Sequence, residues 1–130
     1  MTRLPSVLAA AALSFGLLAE DAQSASLAGT WTGSGYVSPK SGQREKVRCR
    51  VSFSPQGDKV VAVTATCASA STTIRQTGQL SMVSPNRYVG DFYNSEYDIS
   101  GRVRVVISGS SQTVTFSSAK GSGSLSLKKQ

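Results

Sequence analysis

Lys46–Cys67 reads KVRCRVSFSPQGDKVVAVTATC, two alternating runs separated by Ser54-Pro55-Gln56-Gly57-Asp58. Apolar–polar alternation with a Pro- and Gly-containing break is the signature of a β-hairpin. In the first run Val47, Cys49, Val51 and Phe53 share one face, and Lys46, Arg48, Arg50 and Ser52 share the other. In the second run Val61, Val63, Ala65 and Cys67 share a face. The two apolar faces must form one side of a sheet, and both cysteines lie on it.

The cysteines then choose between two registers. A tight turn at Pro55-Gln56-Gly57 pairs Cys49 with Val63 and leaves Cys67 about four residues, or roughly 13 Å, farther along the strand. A disulfide cannot cover that distance. The alternative pairs Phe53 with Val63, Val51 with Ala65 and Cys49 with Cys67, with a looser loop over Pro55–Val61. The second register is expected if the cysteines are oxidised.

The N-terminus argues that they are. Arg3 precedes an apolar run, Val7–Ala19, followed by the small residues Ala22, Ser24 and Ala25. This is the pattern of a secretory signal peptide, and a run of about 13 residues is short for a membrane span, which needs roughly 20. Residues 1–25 are therefore expected to be removed on export to a periplasm or the extracellular space, leaving one domain over 26–130 and no transmembrane span. An even cysteine count in an exported domain predicts one disulfide, Cys49–Cys67.

From Leu27 onward no apolar set recurs with helical spacing. Breaks rich in Gly, Ser, Asn and Pro divide the chain into eight candidate strands. The first, Gly29–Val37, carries the only tryptophan, Trp31, expected to plug one end of the core, with Gly33 and Gly35 on its face. The fourth, about Thr72–Val83, places Ile74, Gln76, Gly78, Leu80 and Met82 inward. The fifth, Arg87–Tyr93, places Tyr88, Gly90 and Phe92 inward. A two-residue turn at Asn94-Ser95 leads to the sixth, Glu96–Ile107, with Tyr97, Ile99, Gly101, Val103, Val105 and Ile107 inward. The seventh offers Val114 and Phe116, and the last Leu125 and Leu127. Eight short strands with one apolar face predict an all-β fold. Closing the meander removes both sheet edges, so a single eight-stranded antiparallel up-and-down barrel is expected, with a β-sandwich as the alternative. Such a barrel is just wide enough to be filled by side chains or to hold one small ligand.

The residue inventory narrows the chemistry. The chain has no histidine, which removes Ser-His-Asp and Cys-His arrangements and ordinary zinc or copper sites. With the cysteines paired no thiol nucleophile is left, and no phosphate-binding loop is present. The acids Glu45, Asp58, Asp91, Glu96 and Asp98 form no pattern beyond a solvated turn near Asp91–Asp98. Neither an enzyme, nor a metal site, nor a cofactor is expected. Two binding surfaces are. Trp31, Gln76, Tyr88, Phe92 and Tyr97 face inward and would line a ligand pocket at a barrel mouth. Lys46, Arg48 and Arg50 on the outer face of strand two, with Arg102 and Arg104 on strand six, would form an anion-binding stripe. The formal net charge is +7. Without Arg3, Glu20 and Asp21 it becomes 13 basic minus 5 acidic residues, or +8. That balance points to anionic polysaccharide, lipid head groups or an acidic protein surface, and export puts cytosolic nucleic acid out of reach.

Gly29-Thr30-Trp31, opening the first strand directly after the expected signal peptide, resembles the Gly-x-Trp opening of the calycin group, the lipocalins, avidins and their relatives. The resemblance implies an eight-stranded ligand-binding barrel. Avidins hold biotin with several tryptophans, and this chain has only Trp31. The chain's size, its export, one disulfide between strands two and three and the Lys-rich last strand are also similar to small periplasmic metalloprotease inhibitors of that group. Their inhibitory element is the N-terminal segment, here Ser26-Leu27-Ala28. The resemblance thus implies a non-enzymatic exported binding protein, with a protease or lysozyme inhibitor acting through a protein interface as the alternative.

Overall fold

The computed structural model describes residues 27–130. The apolar run Val7–Ala19 and the expected cleavage site lie outside the described residues. Eight strands follow one another: β1 (Gly29–Pro39), β2 (Glu45–Pro55), β3 (Val60–Ala68), β4 (Thr73–Ser84), β5 (Arg87–Asn94), β6 (Ile99–Ser108), β7 (Ser111–Ser118) and β8 (Gly121–Lys129). Each pairs antiparallel with its neighbours, and β1 pairs with β8, so the sheet is a closed up-and-down barrel. The sandwich alternative is thereby excluded.

Alternation sets the inside and the outside. β2 buries Val47, Cys49, Val51 and Phe53 and exposes Lys46, Arg48, Arg50 and Ser52. The β2–β3 register pairs Phe53 with Val63, Val51 with Ala65 and Cys49 with Cys67. The cysteines are joined, with Cα atoms 4.1 Å apart. The disulfide thus overrides the tight turn, and Gln56 N–H instead donates to the Val60 carbonyl at 2.8 Å to close a wider loop.

Closure requires β1 to run very near β8. A Cβ on Gly33 would overlap the Ser126 carbonyl oxygen, and one on Gly35 the Ser124 carbonyl oxygen. The absence of side chains at these two inward positions lets the first and last strands bend together.

The β5–β6 connection departs from the sequence expectation. Asn94 pairs with Ile99, so the turn is the four residues Ser95–Asp98 and β6 begins at Ile99, not Glu96. Asn94 belongs to the strand and is buried at 1% exposure. Its side-chain oxygen accepts the Tyr97 backbone N–H at 3.0 Å, a local side-chain turn of the kind Asn favours. Asp98 takes a left-handed conformation, φ 52°, and its carboxylate accepts the Tyr93 hydroxyl at 3.2 Å.

Candidate functional site

The strands give the barrel two unlike halves. Call lower the end where β1 begins and upper the end carrying the β1–β2, β3–β4, β5–β6 and β7–β8 turns. In the lower half most inward side chains are large and sealed, with Met82 near the end of β4 half-buried. Leu27, Trp31 and Tyr88 are each 0% exposed, and Val61, Leu80, Ile107 and Leu127 are buried with them. The indole Nε1–H of Trp31 donates to the Leu27 carbonyl at 3.0 Å. This ties Leu27, just before β1, to Trp31, and the two buried side chains plug the lower end.

In the upper half the inward side chains Val37, Cys67, Ile74, Gln76, Val103 and Phe116 are only half-buried. Most of the half-buried inward residues lie in this half, which makes the upper end the more accessible one. A cavity of about 110 Å³ occupies this half, lined by apolar side chains apart from Gln76 and Thr77. Val51, Phe53, Leu80 and Val105 close it from below.

Two phenylalanines shape its wall. Phe92 and Phe116 meet edge to face with ring centroids 5.8 Å apart, a favoured aromatic geometry. Each ring lies over an inward glycine: a Cβ on Gly101 would stand 2.7 Å from the Phe92 ring, and one on Gly123 would overlap the Phe116 ring. The glycines are seats for the rings.

Of the five residues expected at a pocket, the structure brings two together. Gln76 and Phe92 line the cavity. Trp31 and Tyr88 face inward as expected but belong to the sealed half, where Trp31 forms the anticipated plug. Tyr97 is corrected. It lies in the Ser95–Asp98 turn at 48% exposure, because β6 begins two residues after it.

Gln112, on the inward face of β7, is the residue that sequence reasoning passes over. It is 3% exposed, and neither its amide nitrogen nor its oxygen has a protein partner among the described residues. The Tyr88 hydroxyl is likewise without one, and burial pushes its pKa above the ordinary phenol value. The signal for Gln112 is the β7 parity itself, since it alternates with Val114 and Phe116.

The expected basic stripe is two separate features. β2 and β6 are four strands apart in a closed barrel of eight, so Lys46, Arg48 and Arg50 lie on the wall opposite Arg102 and Arg104. Arg102 is also partly neutralised, with Nε 3.5 Å from Asp91 Oδ1, its cross-strand neighbour.

The chain matches no protein-family model, and comparison with curated proteins finds no relative. Among solved structures it is similar to a redesigned β-barrel, mFAP1, bound to DFHBI, with a TM-score of 0.68 at 14% identity, covering 83% of this chain and 98% of that one. It is also similar to a de novo designed fluorescence-activating β-barrel, with a TM-score of 0.63 at 19% identity, covering 82% and 95%. Rv2717c from M. tuberculosis aligns with a TM-score of 0.60 at 11% identity, covering 89% and 98%. At these identities the likeness is one of fold.

Proposed function

We propose that this chain is an exported, non-enzymatic binding protein that takes a small apolar ligand into the upper half of its barrel. One observation carries the reading. An apolar cavity of about 110 Å³ lies above a floor of fully packed side chains. Small-molecule sites are concave, mostly apolar and furnished with few polar groups, and Gln76 supplies such a group here. An apolar cavity of roughly 150 Å³ in another protein is enough to hold benzene. The cavity here is smaller, so it takes at most a single ring or a short alkyl segment, with the remainder of a longer ligand projecting outward. The Phe92–Phe116 pair offers a ring edge and a ring face to a flat guest. The mFAP1 barrel bound to DFHBI is a barrel of this architecture with a ligand. A calycin relationship is part of the proposal, supported by Gly29-Thr30-Trp31 and by barrel closure. Export is supported by Val7–Ala19 and is compatible with the disulfide.

The inhibitor alternative gains less. Within Ser26-Leu27-Ala28, Leu27 is buried in the core and its carbonyl is held by Trp31, so it is not presented to a partner.

The test is occupancy by design. Ala65 is half-buried and lines the cavity. Ala65→Phe adds roughly 100 Å³, about the volume of the void, so it fills existing space rather than overpacking the core. Titration with toluene by isothermal calorimetry should show binding to the wild-type protein with a negative heat-capacity change, the mark of apolar burial. Ala65→Phe should abolish the binding without lowering the urea midpoint. Unchanged toluene binding by a folded Ala65→Phe protein would overturn the assignment.

A further inference from the structure

The outer wall opposite Arg102 and Arg104 carries an arrangement independent of the cavity. Cross-strand register places Lys128, Thr32, Arg50, Thr66 and Arg75 in one row running from β8 across β1, β2 and β3 to β4. The next row up holds Ser126, Ser34, Arg48, Ala68 and Thr73. Above it Lys46 stands beside Tyr36, over whose ring Arg44 lies at 4.1 Å.

Two spacings follow from sheet geometry. Along β2, Lys46, Arg48 and Arg50 are about 7 Å apart in succession. Across the row, Lys128 and Arg75 each stand two strands, about 10 Å, from Arg50. Those separations are close to the screening length of physiological salt, about 8 Å, so the potentials of these cations overlap.

The residues between them are small and mostly hydroxylic, and Thr32, Ser34, Thr66 and Ala68 form the floor of a shallow trough bordered by Lys46, Arg48 and Arg50. Lys46, Arg48, Arg50, Arg75 and Lys128 are all exposed. Arg102 and Asp91 form an ion pair on the opposite side. Glu45 stands at the rim end of β2, where its carboxylate accepts the Ser71 hydroxyl at 3.4 Å. Asp91, Glu96 and Asp98 cluster on β5 and its following turn. Asp58 lies in the β2–β3 loop at the other end of β2, and the trough between Glu45 and Asp58 is lined by cations and by no acid.

We propose that this wall binds a linear anionic polysaccharide, a chain of sugars bearing carboxylate or sulfate groups. Lys46, Arg48 and Arg50 would pair with successive charges along the trough, and Arg75 and Lys128 would flank it. Threonine and serine hydroxyls on the floor supply the donors and acceptors that sugar hydroxyls need. A membrane surface fits less well, because peripheral binding adds buried apolar side chains to charge and the trough offers no large one. Single-stranded nucleic acid fits less well, because its bases stack on aromatic faces and Tyr36 is already covered by Arg44.

The experiment compares two variants of equal charge. Arg48→Gln/Arg50→Gln removes two cations from the trough, and Arg102→Gln/Arg104→Gln removes two from the far wall. Binding is measured to a size-defined polyuronate oligosaccharide, to phosphatidylglycerol vesicles and to a single-stranded oligonucleotide of similar charge, with urea midpoints checked for each protein. The proposal expects polyuronate binding that weakens with added salt, a loss of about tenfold or more in Arg48→Gln/Arg50→Gln, and less than a twofold change in Arg102→Gln/Arg104→Gln. Equal losses in the two variants would reduce the wall to net charge and overturn it. Vesicle or oligonucleotide binding without polyuronate binding would also overturn it, as would no binding to any of the three. Ala65→Phe should leave polyuronate binding unchanged, which separates failure of this proposal from failure of the cavity reading.

Discussion

Replacing Trp31 with Phe tests whether the lower half of the barrel is a plug or part of the binding site. Trp31 and Leu27 are both 0% exposed, and the indole N–H reaches the Leu27 carbonyl at 3.0 Å. Phenylalanine keeps the aromatic body and removes that donor. A buried carbonyl left without its partner costs about 1–3 kcal/mol. The smaller ring leaves about 40 Å³ unfilled, which at roughly 24 cal/mol per Å³ adds about 1 kcal/mol. The sum, about 2–4 kcal/mol, is a large part of the roughly 5–15 kcal/mol that holds an ordinary domain together. At about 4–8 °C per kcal/mol for a domain near this size, the midpoint should fall by roughly 8–32 °C.

The assay is urea and thermal denaturation followed by far-ultraviolet circular dichroism, because the substitution removes the only tryptophan in the chain. Toluene affinity is measured in parallel at a temperature where the variant is folded. Trp31 does not line the cavity, so the affinity should be unchanged. A stability loss under about 0.5 kcal/mol together with lost toluene binding would refute the reasoning, and would move the ligand to the Trp31 end.

Two further outcomes follow from the same geometry. The Cys49–Cys67 bond closes a loop with a sequence separation of 18, so the Cys49→Ala/Cys67→Ala double variant should lose about 3 kcal/mol by denaturant titration, in the chain-entropy account. An unchanged midpoint would contradict it. Tyr88→Phe should be neutral or stabilise by about 1 kcal/mol at neutral pH, because it removes a buried hydroxyl with no partner among the described residues. A loss above about 1 kcal/mol would show that the hydroxyl is bonded. Burial raises the Tyr88 pKa above 10.0 in the folded state, so its contribution is fully present below about pH 10 and is lost as pH rises from there through the folded pKa. The wild-type protein should therefore lose more stability between about pH 9 and 11 than Tyr88→Phe does, as read from urea midpoints.

The hairpin register is legible in the sequence because two independent constraints meet at Cys49 and Cys67: a shared apolar face and a bond that only one pairing allows. Barrel closure is legible in the count and parity of the strands. Turn chemistry at Asn94 is not. Asn is read as a turn residue, and here it is one, yet its backbone stays in β5 while its side chain caps Tyr97 from inside. That single shift moves Tyr97 from the core to solvent. Period-two parity identifies the inward set but carries no information on depth along the barrel axis. Tyr88, Gln76 and Phe92 therefore read as equivalent, although Tyr88 joins Trp31, the expected plug, in the sealed end and Gln76 and Phe92 line the cavity. Likewise the two arginine pairs look alike in sequence, and only strand order shows that they face away from each other.

The origin of the cavity lies in where the chain places its inward volume. A barrel of eight strands encloses a space that ordinary side chains can fill. Trp31, Phe53, Leu80, Tyr88, Ile107 and Leu127 fill it in the lower half. In the upper half Gly35, Gly78, Gly101 and Gly123 take inward positions, and Ala65 adds only a methyl group. The phenylalanine rings occupy part of that missing volume by folding onto Gly101 and Gly123, and the remainder is the void. A core packed to ordinary density has few voids larger than a water molecule, so the upper half forgoes packing that the lower half retains. Stability is therefore concentrated around Trp31 and Tyr88, while the walls around Phe92 and Phe116 can accept a guest without dismantling the core. Enlarging Ala65 should on this account recover packing at the expense of binding, whereas truncating Leu80 at the cavity floor should weaken both.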